Sequence, residues 1–146
     1  MAVLLSACGD RSGTDRYGPA FKSAIFVYGY VQGDLGFLHE CLLIDPDRST
    51  LYVERIRRHQ LAAIPIIRRI RTIWVTELSR KGEPTEGVLR LMSHTIGDGL
   101  PQQAVAENPT AFLDTCRDGT EDETSIAMAG LRKSYPEQMR DIDAWK

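Results

Sequence analysis

Apolar residues in the middle of the chain recur three, four or seven positions apart, so that Ile56, Ala63, Ile67, Ile70, Trp74 and Leu78 line one side of a helix. This spacing predicts a long amphipathic helix with Ser49 as its cap and Lys81-Gly82 as its stop. Pro65 should kink it or split it in two, because proline removes a backbone donor and its ring meets the preceding turn. Residues 83–87 then read as a turn, Val88, Leu91, Met92 and Thr95 as one short helix, and Gly97-Asp98-Gly99-Leu100-Pro101 as its end. Asn108 before Pro109 is an N-cap with proline at the first helical position. Ala111, Phe112 and Cys116 face one way in the helix that follows, which Arg117-Asp118-Gly119 closes. Residues 124–134 make another helix, and Pro136 opens a last one carrying Met139, Ile142 and Trp145.

The pattern is different upstream. Residues 21–31 are rich in β-branched and aromatic side chains and, read alone, favour a strand. Gln32-Gly33-Asp34 supplies a break, and Asp34 is placed to cap a helix whose Leu38, Cys41, Leu42 and Asp45 fall at helical spacing. The rival is a β-meander, with strands over residues 38–44 and 51–56 about the turn Asp45-Pro46-Asp47-Arg48-Ser49; periodicity over so short a run does not separate the two. The fold expected is mainly α, a compact domain of about four to six helices with a short strand or hairpin near residues 24–31. An α+β arrangement is the alternative.

A chain of 146 residues fits one hydrophobic core. Hydrophobic residues at 42% and charged ones at 26% exclude a disordered acidic tail and a multi-span membrane protein. A net charge of −2 gives no global attraction to nucleic acid, which is not expected as a partner. No apolar run reaches the roughly 18 residues of a transmembrane helix, so membrane attachment would need a lipid or a partner.

The first residues bear on that point. The chain opens Met1-Ala2-Val3-Leu4-Leu5-Ser6-Ala7-Cys8-Gly9-Asp10, and Leu5-Ser6-Ala7-Cys8 resembles the lipobox of bacterial lipoproteins. In that class small residues precede the cleavage site, and the cysteine after it already carries a diacylglycerol. The resemblance therefore implies lipidation of Cys8. A secretory signal has a basic start and an apolar stretch of roughly 7–15 residues, whereas few apolar residues precede the box here, so a truncated or mis-assigned start is expected. Residues 1–8 are then the remnant of a signal peptide. Residues 9–20, polar and rich in Gly and Pro, form a flexible tether, and residues 21–146 form the domain. Setting Cys8 aside leaves Cys41 and Cys116, which can pair in the oxidising space reached by export and would stabilise the fold by roughly 3–5 kcal/mol on the chain-entropy account. The alternative is two separate buried thiols behaving as small hydrophobes.

Candidate chemistry is sparse. Arg55, Arg57, Arg58, Arg68, Arg69, Arg71, Arg80 and Lys81 crowd the central helix, and on a helical projection Arg55, Arg58, Arg69 and Arg80 fall opposite the apolar stripe. That face is either simply solvated or a contact for acidic headgroups and lipopolysaccharide phosphates. Asp114, Asp118, Glu121, Asp122, Glu123, Glu137, Asp141 and Asp143 gather near the C-terminus, with internal pairing to the arginines as their simplest use. The alternating oxygen ligands of a calcium loop are absent, so no metal is expected. His39, His59 and His94 are the candidates for proton transfer near neutrality, but none sits in a recognisable catalytic frame. Ser93-His94 with Asp98 lacks the separate elements of a hydrolase triad. Gly29, Gly33, Gly97 and Gly99 lack phosphate-loop spacing, and the aromatic run at residues 26–30 is the kind usually found in a core. No catalytic residue and no cofactor is expected. The reading is a lipid-anchored envelope protein facing the periplasm, with the outer membrane favoured over the inner, that binds another envelope component. A secretion-linked or phage-linked accessory or immunity protein and a small periplasmic enzyme are the alternatives.

Overall fold

Residues 21–31 are helical. In the computed structural model, which describes residues 15–87, 90, 100–119 and 123–146, helix α1 spans Pro19–Ile44 without interruption. The strand or hairpin near residues 24–31 is therefore absent, as are the meander strands over 38–44 and 51–56. The described residues are mainly α, with no strand among them. Local propensity yields here to spacing: Phe21, Ala24, Val27, Tyr28, Val31, Leu35, Leu38 and Cys41 follow one another at helical intervals and all are buried. A helix so apolar needs neighbours on more than one side, and α1 has them, packing against both the long helix that follows it and the last helix of the chain. Asp34 stands inside α1 rather than capping a new helix.

Residues 15–20, expected as the end of the tether, are part of the fold. Asp15–Tyr17 form a 3-10 turn, Tyr17 stacks on Phe21 with ring centroids 4.3 Å apart, and Arg16 pairs with Glu83. Gly18 then takes a φ of 82°, which glycine reaches without strain, and Pro19 occupies the first turn of α1. Cys8 lies outside the described residues.

Helix α2 covers Ser49–Arg80 and is entered through a 3-10 turn at Pro46–Arg48. Ser49 is its first residue rather than its cap, Arg48 being the capping position with no side-chain bond. Pro65 neither breaks the helix nor divides it. An interior proline costs about 3 kcal/mol, but Ala63, Ile66 and Ile70 on either side are at most 2% exposed in one shared core, and this burial offsets the loss. Gly82, at φ 68°, follows the expected stop.

Leu100 and Pro101 open a helix rather than end one: α3 is Leu100–Glu107. The short helix expected through Val88, Leu91, Met92 and Thr95 falls mostly outside the described residues. Helix α4 is Pro109–Asp118, capped as its sequence predicts by Asn108, whose Oδ1 accepts from the Ala111 amide at 3.1 Å; it is closed by Gly119 at φ 62°. Phe112 and Cys116 are buried but Ala111 is exposed. The single helix expected over residues 124–134 is a 3-10 turn at Glu123–Ser125 followed by α5, Met128–Ser134. Helix α6 is Pro136–Ala144, with Met139 and Ile142 buried.

Helices α1 and α2 form an antiparallel pair, tied by Arg16–Glu83 at one end, by the contact of Tyr28 with Trp74 along its length, and by Asp34–His59 further on. α5 and α6 complete the main core over this pair. A second, smaller core forms where α3 and α4 meet the C-terminal half of α1, around Cys41, Tyr52, Phe112 and Cys116.

Candidate functional site

Among the described residues, three places gather polar or reactive side chains. At the end of the α1–α2 pair, Cys41 and Cys116 are joined as a disulfide, with Cα atoms 5.6 Å apart, and both residues are buried. The bridge ties α4 to α1, and Phe37 packs on Phe112 beside it. Next to it lies a buried carboxylate that the sequence does not mark as part of a site. Asp45 is 2% exposed and accepts two hydrogen bonds from Arg117, from Nε and Nη2, each 3.1 Å, and a third from the Tyr52 hydroxyl at 2.9 Å. The Arg117 guanidinium holds the Asp45 carboxyl below the usual carboxylate range against the opposing effect of burial, and Tyr52 adds to the lowering. Burial, and then the adjacent carboxylate, push the Tyr52 phenol up. The bidentate pair joins the α1–α2 turn to the last turn of α4.

The second place is the middle of the α1–α2 pair, where His59 Nδ1 lies 2.6 Å from Asp34 Oδ2 with side-chain exposures of 1% and 6%. A carboxylate that accepts from Nδ1 orients an imidazole, as in acid–base dyads. Here the remaining nitrogen, Nε2, is buried without a hydrogen-bond partner, and a substrate has no route to a ring that is 1% exposed. The pair does the work of a core contact. The Cys41 sulfur is bridged to Cys116, while Ser93, His94 and Asp98 lie outside the described residues. Among the described residues no three His, Cys, Asp or Glu side chains converge as a metal site.

The third place is the arginine-rich surface of α2. The C-terminal part of the chain packs beside Arg55, Arg58, Arg69 and Arg80. Arg69 donates to the Ile142 and Trp145 carbonyls and lies over the Trp145 ring. Arg80 bonds Glu77 and also covers Trp145, and Arg58 faces Glu123 at 3.8 Å. Arg55 lies so close to Gly119 that a Cβ there would collide with its guanidinium. The internal pairing with the central-helix arginines expected of the acidic C-terminal residues is realised by Glu123 through Arg58, whereas Asp143 forms a two-pronged pair with Arg132 of α5. The outward surface of α2 belongs instead to Arg57, Leu61, Ile64, Pro65, Arg68 and Arg71, all exposed. Leu61 is 54% and Ile64 39% exposed.

No protein-family model matches the chain, and neither a curated protein nor a solved structure does.

Proposed function

We propose that this protein is an exported bacterial lipoprotein: a helical domain held at an envelope membrane by a lipid on Cys8 and acting there by binding. The observation that carries the reading is the Cys41–Cys116 disulfide. Disulfides persist in oxidising spaces and are rare in the cytosol, and pairing these two sulfurs leaves Cys8 as the odd cysteine of three, at the position where the lipobox-like Leu5-Ser6-Ala7-Cys8 requires one. The bridge spans a sequence separation of 75 residues, a closure that stabilises by about 4 kcal/mol on the chain-entropy account.

Binding is preferred to catalysis because the oriented imidazole of His59 is sealed in the core, whereas the surface presents large apolar side chains at Leu43, Leu51, Val53, Leu61 and Ile64. An envelope component, protein or lipid, is the class of partner.

Fractionation of cells producing the full-length gene product tests the reading. The wild type is expected in the membrane fraction, extracted by detergent but not by high salt, with Cys8→Ser released by high salt alone. Equal retention of the two after the salt wash, or a wild type free in the cytosol, overturns it.

A further inference from the structure

Resting on the lipoprotein reading, we infer that the outward face of α2 is a docking surface for an anionic phospholipid bilayer, so that the domain lies along the membrane to which Cys8 tethers it. Four observations converge on this face. First, no acidic residue occurs between Glu54 and Glu77, so the middle of α2 carries basic charge without local neutralisation. Second, while Arg55, Arg58, Arg69 and Arg80 are taken up by the C-terminal part of the chain, Arg68 and Arg71 point outward, exposed and without an ion-pair partner among the described residues. With Thr72, Val75 and Thr76 they line an open depression on the helix surface.

Third, the apolar residues of the same face, Leu61 and Ile64, are exposed beside the arginines, and Pro65 lies between them and Arg68. Apolar side chains that enter the headgroup boundary with cations beside them are the composition of an interfacial helix. Fourth, the tether reaches. The seven peptide units from Cys8 to Asp15 extend at most about 25 Å. The turn at Asp15–Tyr17 is fixed beside the C-terminal end of α2 by the Arg16–Glu83 pair, and Arg71 lies about 14 Å along the helix from Arg80. A lipid on Cys8 therefore anchors the end of the molecule next to this face, at a distance that lets the helix lie down.

The test uses the purified full-length Cys8→Ser protein, in which no lipid contributes, in flotation with vesicles of phosphatidylcholine alone or mixed with phosphatidylglycerol. The expected result is flotation with the mixed vesicles, weakened by salt, and none with the neutral ones. Each arginine brought to an anionic surface tightens binding by about fivefold, so Arg68→Glu with Arg71→Glu should weaken it by more than tenfold. Lys133→Glu with Arg140→Glu, an equal charge change at exposed positions elsewhere, should not. Leu61→Ser with Ile64→Ser should weaken binding while leaving its salt dependence in place. Circular dichroism confirms that each variant is folded. Absence of flotation with the mixed vesicles, equal loss in the two charge-reversed pairs, or a photo-cross-linker at Ile64 that captures a protein rather than lipid in cells overturns the inference. Lipidation is read separately by fractionation, so vesicle binding without lipidation would remove the tether and keep the docking face, and the reverse result would do the opposite.

Discussion

Tyr28 is 5% exposed with its ring against the edge of Trp74, centroids 5.1 Å apart, and its hydroxyl is buried without a hydrogen-bond partner. Burial pushes the phenol up to about 12. Because the folded value lies above the unfolded one of about 10, the associated stability is intact below pH ~10 and is lost as the pH rises toward the folded value. Tyr28→Phe should unfold at the same temperature or a higher one at neutral pH, a gain of up to about 1 kcal/mol from removing an unpaired buried hydroxyl. It should also lose part of the alkaline instability; thermal melts across pH 7 to 12 measure both effects. Asp45 has the opposite sign. Its carboxyl is held low chiefly by Arg117, so the contribution is present above the ordinary carboxylate value of about 4 and is lost as the pH falls through the lower folded one. Asp45→Asn should therefore flatten the acid limb of a stability-against-pH curve and leave the alkaline limb unchanged.

At the scale of elements, the α1–α2 pair combines an apolar interface with the buried polar contact of Asp34 with His59. Removing one member of such a pair strands the other. His59→Leu alone should cost about 3–5 kcal/mol, and adding Asp34→Leu should recover most of it, because two apolar side chains replace a buried pair at little net cost. Urea unfolding of the two single variants and the double variant checks this, and additive losses would show that the residues do not act together. The same pair explains what could be read beforehand. α2 was legible because its apolar residues repeat over many turns, and α4 because Asn108, Pro109 and Gly119 are local signals with local causes. α1 was not, since Phe26, Val27, Tyr28 and Val31 are strand-forming residues whose helical state is decided by packing against α2 and α6. Asp34 reads as a cap from its neighbours and becomes a core partner only because His59 is brought against it. The covering of Arg55, Arg58, Arg69 and Arg80 has a similar cause, since a helical projection contains nothing about the segment that packs beside them.

For the whole molecule, the decisive element is the covalent one. Cys41 and Cys116 belong to separate helices of the smaller core, so the bridge fixes α4 on α1 where apolar contact is limited. Cys41→Ala with Cys116→Ala should lower stability by about 2–5 kcal/mol, with hydrogen exchange rising first in α4 and only later in the α1–α2 pair. Pairing of these two cysteines was legible from their number once Cys8 was set aside, whereas the Asp45–Arg117 contact beside them depends on a turn and a helix end that are 72 residues apart. The proposed role, a lipid-tethered domain at the envelope, unites the oxidised pair with the third cysteine. The most direct test is the mass of the natural product extracted from producing cells and alkylated without reduction. The account predicts an N-terminal fragment that begins at a diacylglycerol-modified Cys8 and no alkyl group on Cys41 or Cys116; an unprocessed product carrying alkyl groups on all three cysteines would contradict it.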